Sequence, residues 1–263
     1  MDALILYLLL GAFAGTVAGL LGVGGGLIIV PVLVFVFAGE NIPPPLIMHI
    51  AIGTSLATIV VTSVSSMRAH HQHGAVIWSV FGWLSPGIVI GALLGAAIAD
   101  QLSSQGLRTF FGIFELGVAL KMGFGANPAS HRKLPGMTGM AIAGVIIGTV
   151  SAIVGIGGGI LTVPFLSWCN VSMRQAVATS AACGLPIALA GTVGFILTGM
   201  NENSLPEWST GYVFWPAVAG VTAASMMFAP LGARLAHTLP IAILRRIFAL
   251  FLAILGVRML IIN

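Results

Sequence analysis

The chain has 263 residues, of which 58% are hydrophobic and only 6% are charged. A soluble domain carries about 25% charged residues, so this composition excludes an ordinary soluble protein. The formal net charge of +4 is small and falls in loops, so nucleic acid is not expected as a partner. The apolar runs lack the alternation of a membrane β-barrel. We therefore predict an all-α polytopic membrane protein in a lipid bilayer.

Apolar segments follow one another along the whole chain, separated by short polar connections. Most are near the roughly 20 residues that cross a bilayer as a helix. The connection between the fourth and fifth segments is the most polar. The segments are predicted over residues 3–38, 47–67, 76–99, 107–124, 138–168, 175–198, 211–236 and 243–262.

The sequence contains an internal repeat. GLLGVGGGLIIVPVL begins at Gly19, and AIVGIGGGILTVPFL begins at Ala152. Further matches along the two halves show that the repeat covers all the segments. We therefore predict two homologous transmembrane halves, residues 1–125 and 138–263, joined by a polar linker at 126–137. The further matches pair Met48–Ser55 with Met173–Ser180, Trp78 with Trp215, Gly95 with Gly232, Arg108 with Arg245 and Lys121 with Arg258.

The first and fifth segments are too long for a single crossing. Residues 3–38 as one helix would measure about 54 Å, whereas the hydrocarbon core is about 30 Å thick. Each segment is interrupted by a glycine cluster that divides it into two arms. Each pair of arms either crosses the bilayer once at a steep tilt or returns as a re-entrant hairpin.

The distribution of basic residues favours the hairpins, because cytoplasmic loops are enriched in Lys and Arg. Eight crossing segments would place five basic residues on each side. Two hairpins and six crossings place eight on one side and leave only Arg108 and Arg258 on the other. We therefore predict three full spans and one re-entrant hairpin in each half, with eight full spans as the alternative. Three crossings invert the second half, so the linker is cytoplasmic and both termini lie outside.

The glycine clusters are the predicted substrate site. Non-helical backbone at membrane depth must be buried in protein or line a wet cavity, and paired broken helices mark the binding sites of many secondary transporters. The arms that follow the glycines present unpaired N–H groups and a positive dipole end, which favour an anion. The Thr-Ser pairs add hydroxyl donors. The alternative is that the glycines serve helix packing and the hydroxyls bond to their own helices. The candidate residues are Gly22, Gly24, Gly25, Gly26, Thr54, Ser55, Gly155, Gly157, Gly158, Gly159, Thr179 and Ser180.

The duplicated G-x-GGG-x4-P pattern, in two halves of four segments, resembles the sulfite exporter TauE/SafE family, also described as the 4-toluene sulfonate uptake permease family. The resemblance covers essentially the whole chain. It implies a cell-membrane transporter of sulfur-containing organic or inorganic anions, such as sulfite, sulfoacetate or other sulfonates.

A few ionisable residues lie in or near the apolar segments. Glu115 lies in the middle of the fourth segment and is a candidate proton carrier or partner of a buried base, with a structural hydrogen bond to a neighbouring helix as the alternative. His49 and Arg174 occupy matching repeat positions and could attract an anion at the cavity mouths, although interfacial snorkelling explains them better. Arg68 is a candidate gate. The nearby histidines at 70, 71 and 73 fit a solvated loop better than a metal site, so no metal is expected.

The sequence therefore favours a secondary transporter of a small anion that works by alternating access, with the proton as the candidate coupling ion. The alternatives are an anion channel or uniporter, or a carrier of a different small solute or a metal. An enzyme is not expected, because no G-x-S-x-G, H-E-x-x-H or P-loop motif occurs. No cofactor is expected either, and the sequence does not indicate an oligomeric state.

Overall fold

The computed structural model describes residues 2–21, 25–40, 42–124, 133–235 and 241–261, most of which are helical. A single 3-10 turn, Pro44–Leu46, precedes α3, and β1 and β2 are Ser209–Thr210 and Val213–Phe214. The helices are α1 (Asp2–Leu21), α2 (Gly26–Gly39), α3 (Ile47–Gln72), α4 (Trp78–Gln101), α5 (Ser104–Phe124), α6 (Met137–Val154), α7 (Gly159–Trp168), α8 (Met173–Gly199), α9 (Trp215–Leu235) and α10 (Ile241–Ile261).

Several helices suit a lipid environment. Among the described residues, four are long and apolar enough to cross a membrane: α3 with its preceding turn, α4, α6 and α8. Shorter apolar helices accompany them within α1, α2 and α7. The chain is thus an α-helical membrane protein. The helix α6 is long enough to cross the membrane without α7. Helix length therefore does not decide between the six-span and eight-span arrangements.

Both long apolar segments are divided at their glycine clusters, as the sequence predicts. The first is split between Leu21 and Gly26, and the second between Val154 and Gly159. Gly155 ends α6 in the left-handed conformation, with φ of 73°, where a residue without Cβ is favoured. Within the first cluster, Gly22 and Gly24 lie outside the described residues, as do residues 126–132 of the predicted linker.

The helix α2 runs back along α1. Near the start of α1, the Tyr7 hydroxyl donates to the Glu40 carboxylate, whose oxygens lie 2.8 and 2.9 Å away, just after the end of α2. The Tyr7 and Phe37 rings are 6.4 Å apart. Further along α1, Ala14 lies 3.7 Å from the position of a Cβ on Gly25. Late residues of α2 therefore face early residues of α1, and the two helices are antiparallel.

Helices from opposite halves of the chain pack closely through glycine. In α1, Gly11 and Gly15 lie against the backbone of α9 at Val221 and Ser225. In the same way, Gly144 and Gly148 of α6 lie against the backbone of α4. Larger side chains would collide with the partner backbone at these positions, so the small residues permit the short helix separation.

The helices α3 and α8 cross at the centre of the molecule. The first half of α3, from Ile47 to Ile59, is buried throughout. In α8, Gly191 faces the Leu56 side chain and Gly184 faces Ser63. Ile52 of α3 lies beside Gly155, and Ser180 and Gly184 of α8 lie beside Gly158, so both helices border the second break.

A short β-hairpin, not predicted from the sequence, covers the end of the molecule where α3 and α9 begin. The strands β1 and β2 pair antiparallel. The Tyr212 hydroxyl donates to Asp100 at 2.9 Å, and its backbone N–H donates to the Phe195 carbonyl at 3.2 Å. Burial raises the pKa of the Tyr212 phenol, and the hydrogen bond to Asp100 raises it further. The phenol therefore stays protonated and keeps its donor role.

A groove of about 570 Å³ runs along the second half of α3 and is bordered by Met226 of α9. Its α3 lining is mainly aliphatic, with Ser65, Arg68 and Gln72 as the polar residues. By contrast, α4 stays close to α8, where a Cβ on Gly194 would lie 2.5 Å from the Ala96 Cβ. The α3–α9 pair is therefore open at the groove, whereas the α4–α8 pair is closed at Gly194 and Ala96.

Candidate substrate site

The two helix breaks meet in the interior. A Cβ on Gly26, the first residue of α2, would lie 2.6 Å from the Gly155 carbonyl oxygen and 2.8 Å from the Ile156 Cα. A Cβ on Gly155 would in turn lie 3.2 Å from the Ile52 Cα in α3. Only glycine allows this approach at Gly26, because any side chain would overlap the opposing backbone.

The start of α7 is surrounded by polar groups. Gly158 precedes the helix, and its carbonyl accepts the Thr162 N–H at 2.8 Å, so the N–H groups before Thr162 have no helical acceptor. A Cβ on Gly158 would lie 3.1 Å from the Thr162 hydroxyl and 3.6 Å from the Ser180 carbonyl. Across from it, a Cβ on Gly184 would lie 4.0 Å from the Gly158 nitrogen and 3.8 Å from the Ser63 Cβ.

Two residues beside this helix end carry hydroxyls without a hydrogen-bond partner among the described residues. They are Thr162, whose hydroxyl faces Gly158, and Ser180, whose backbone carbonyl lies near Gly158; they are 0% and 1% exposed. A third unpartnered hydroxyl, that of Ser151, lies buried in the last turn of α6. Buried hydroxyls normally find partners because leaving one unsatisfied costs about 1–3 kcal/mol. Their accumulation around one helix break points to a ligand or water.

The other predicted hydroxyls hold backbone groups in place. Thr54 accepts the Phe214 N–H at 3.1 Å, and Thr179 accepts the Ile77 N–H at 3.0 Å. Ser55 donates to the Gly155 carbonyl at 2.8 Å. These three side chains therefore position α9, α4 and the second break. Of the two Thr-Ser pairs, the described contacts leave only the Ser180 hydroxyl without a partner.

The start of α2 is apolar by comparison. The Ile28 and Ile29 N–H groups both lie 3.0 Å from the Gly25 carbonyl oxygen and donate to it. The Ile29 side chain covers Gly25, with its Cδ1 2.9 Å from the position of a Cβ there. The two helix starts thus have the same backbone arrangement but different surroundings.

Comparison with known proteins gives the family. The family model described as "Sulfite exporter TauE/SafE" matches residues 7–259. The chain belongs to the TauE/SafE family. This confirms the resemblance drawn from the doubled glycine motif.

Curated relatives agree over the full length. A probable membrane transporter protein of Haemophilus influenzae is 36% identical over 258 residues, covering 97% of each chain. A second, from Methanocaldococcus jannaschii, is 27% identical and covers 97% of this chain and 94% of its own. A third, from Xylella fastidiosa, is 31% identical over 81% of this chain and 78% of its own. No solved structure matches the chain. This TauE/SafE protein is therefore a membrane transporter.

Two of the predicted ionisable residues are attached to neighbouring helix ends. The His49 side chain is 4% exposed, and its Nε2 lies 3.1 Å from the carbonyl oxygens of both Ala99 and Leu102. Both atoms are acceptors, so this nitrogen donates, and His49 caps the end of α4. Arg174 is exposed and donates to the His73 carbonyl at 3.3 Å. In these contacts both side chains join the starts of α3 and α8 to neighbouring segments.

The remaining ionisable residues lie apart from the helix breaks. Glu115 is fully buried in α5, and neither carboxylate oxygen has a partner among the described residues. Arg68 is exposed and lines the groove between α3 and α9. Around the histidines at 70, 71 and 73, as in the rest of the described chain, no three ligating side chains are close enough to hold a metal ion.

Sequence reasoning missed Ser151, Thr162 and Tyr212. The first two had a usable signal, because each is a polar residue at a repeat position that is apolar in the other half. Thr162 matches Ile29, and Ser151 matches Ala18. Tyr212 had none, since it falls in an apolar segment and its role depends on Asp100, 112 positions away.

Proposed function

We propose that this TauE/SafE transporter carries a small sulfur-containing oxyanion by alternating access around the paired helix breaks. The observation that carries the proposal is the buried start of α7, where helix-start N–H groups lie beside the unpartnered Thr162 hydroxyl and near Ser180, whose hydroxyl is also without a partner among the described residues. Such a helix end offers hydrogen-bond donors and a partial positive charge to an anion. The preference for sulfur compounds comes from the family described as sulfite exporters.

The two halves are proposed to have opposite orientations in the bilayer. The packing of α1 on α9 supports a two-fold relation between the halves, because Gly11 and Gly15 match Gly144 and Gly148 in the repeat. The α9 residues that contact the first pair correspond to the α4 residues that contact the second. A pseudo-two-fold axis in the membrane plane relates such contacts in transporters with inverted repeats.

The threonine hydrogen bonds support the same symmetry. Thr54 and Thr179 match in the repeat, and so do their partners Phe214 and Ile77. The return of α2 beside Tyr7 supports a hairpin in the first half. We retain six full spans with two hairpins, a cytoplasmic linker at 126–137 and both termini outside.

Alternating access is proposed to exchange the open and closed helix pairs. The pair α3 and α9 corresponds in the repeat to α8 and α4; the former has a groove, whereas α8 and α4 are in close contact at Gly194 and Ala96. In the proposed orientation this groove opens toward the cytoplasm with Arg68, and the Tyr212 hairpin covers the outer end. Glu115 is the candidate proton carrier, since a buried carboxyl without a partner is unfavourable as a charge.

Flux measurements test this function. The purified full-length protein in proteoliposomes should take up a labelled sulfonate or sulfite with saturation and counterflow. An anion that binds should also raise the apparent melting temperature. Comparison of the melting-temperature shifts with sulfite, sulfoacetate, sulfate, acetate and chloride identifies the preferred anion. Flux that neither saturates nor shows counterflow would favour a channel, and a response only to a neutral solute or a divalent metal would refute the anion proposal.

A further inference from the structure

The two helix breaks differ in polarity although they share a sequence motif and a backbone arrangement. At the second break, the Thr162 hydroxyl faces Gly158. At the first, the matching position holds Ile29, whose side chain faces Gly25. The same geometric position is therefore a hydrogen-bond donor in one half and a methyl-bearing carbon in the other.

The paired serines differ in the same direction. Ser55 donates to the Gly155 carbonyl, which occupies its one proton. Its repeat partner Ser180 is 1% exposed and has no partner among the described residues. Because a hydroxyl has only one proton, Ser180 retains a donor for a ligand, whereas Ser55 can only accept.

We propose that substrate binds on one side of the pseudo-symmetric centre, at the start of α7, with the Thr162 and Ser180 hydroxyls as donors. The start of α2 then takes no part in binding, and its Ile29 side chain only packs over Gly25. This inference rests on the proposed function and specifies which of the two breaks carries the binding chemistry.

The same surroundings define the charge of the ligand. The groups found beside Gly158 are the Thr162 hydroxyl, the Ser180 backbone carbonyl and small or apolar side chains such as Gly184 and Ile187. A helix start offers the equivalent of roughly half a positive charge, and the described contacts at this break include no basic side chain. Burying two negative charges there would be costly. The site therefore takes a monovalent oxyanion, such as a sulfonate group, in preference to a divalent one such as sulfate.

The test compares matched substitutions from the two halves in the full-length protein. Binding of methanesulfonate and of sulfate is measured by calorimetry on purified wild type and on Thr162→Val, Ser180→Ala, Ile29→Val and Ser55→Ala. We expect each of the first two to weaken methanesulfonate binding at least tenfold. Ile29→Val and Ser55→Ala should bind within twofold of wild type, with Ser55→Ala reducing only thermal stability.

Two further measurements test the role of the hydroxyl and the charge preference. Thr162→Ser keeps the hydroxyl but loses the methyl group, and it should bind methanesulfonate within threefold of wild type. Wild-type binding of sulfate should be at least tenfold weaker than that of methanesulfonate.

The proposal is overturned if Thr162→Val and Ser180→Ala bind normally, or if the first-half variants lose as much affinity. Equal sulfate and methanesulfonate affinity would overturn the monovalent preference. A wild-type protein that transports no oxyanion at all would instead refute the proposed function, and the one-sided site with it.

Discussion

At the scale of single residues, Gly155 determines how α6 ends and how the two breaks meet. Its φ of 73° is in the left-handed region, and its carbonyl accepts the Ser55 hydroxyl. A Cβ there would also lie 3.0 Å from Val30. Conformation and contact therefore both require glycine at this position.

We expect Gly155→Ala to lower the free energy of unfolding by roughly 1–3 kcal/mol, because it combines backbone strain with a close contact. Thermal unfolding of the purified protein in detergent measures the change. Gly157→Ala is the matched control, since the nearest atom to a Cβ there is 3.6 Å away. Equal effects of the two substitutions would contradict the special role of Gly155.

Glu115 gives a second prediction at this scale. Because its buried carboxyl has no partner in the described chain, Glu115→Gln should leave thermal stability unchanged or raise it. If the residue carries the coupled proton, the same variant should lose uptake driven by a pH gradient but keep counterflow exchange. Proteoliposome assays with and without the gradient distinguish these activities, and normal gradient-driven uptake would exclude Glu115 from coupling.

At the scale of helices, the antiparallel contact of α1 with α2 places Glu40 beside the start of α1. Tyr7 lies near the beginning of α1, and its hydroxyl holds Glu40 at the end of α2. The start of α1 and the end of α2 therefore lie at the same level of the molecule. This arrangement is what a re-entrant hairpin requires.

Cysteine labelling tests this topology. Ala38→Cys, at the end of α2, and Val171→Cys, just after α7, should react with a membrane-impermeant maleimide from opposite sides of the membrane. The native Cys169 and Cys183 are buried, so the wild type provides a low background. Labelling of both positions from one side would support eight full spans instead.

The sequence predicts the helices and their breaks well because those depend on local composition. The glycine clusters separate α1 from α2 and α6 from α7, and the repeat places them in matching positions. The β-hairpin could not be predicted, because strands of two residues, such as Ser209–Thr210, produce no periodic signal.

The candidate site was predicted less completely. The described glycines and Ser180 lie at or next to the breaks, but the Thr54 and Thr179 hydroxyls bind N–H groups far away in sequence. Hydroxyl spacing alone does not reveal which partner a side chain reaches in the folded chain. Thr162 differs from its repeat partner Ile29, but only the structure places it against Gly158.

At the scale of the whole molecule, the helix pairs α3–α9 and α4–α8 differ in closure. In the first pair, Ser65 is exposed and lines the groove. Its repeat partner Ala190 is buried with Ala92 and Ala152. Exchange of the two arrangements would therefore reverse the accessibility of these two positions.

We expect substrate in proteoliposomes to change maleimide labelling of the two positions in opposite directions. Ser65→Cys should react more slowly and Ala190→Cys more rapidly as the groove closes and its counterpart opens. Gly117→Cys, with no neighbour within 4 Å of its Cβ position, is the control and should not respond. Parallel changes at positions 65 and 190 would contradict alternating access.

The packing of α1 on α9 also has a consequence for biosynthesis. The Ser225 hydroxyl donates to the Gly11 carbonyl at 3.0 Å, although the two residues are 214 positions apart. While a ribosome is still translating the first half, the glycine face of α1 has no α9 to contact. The helix α1 therefore completes this packing only after α9 has been synthesised, and until then lipid or an insertion chaperone must cover its glycine face.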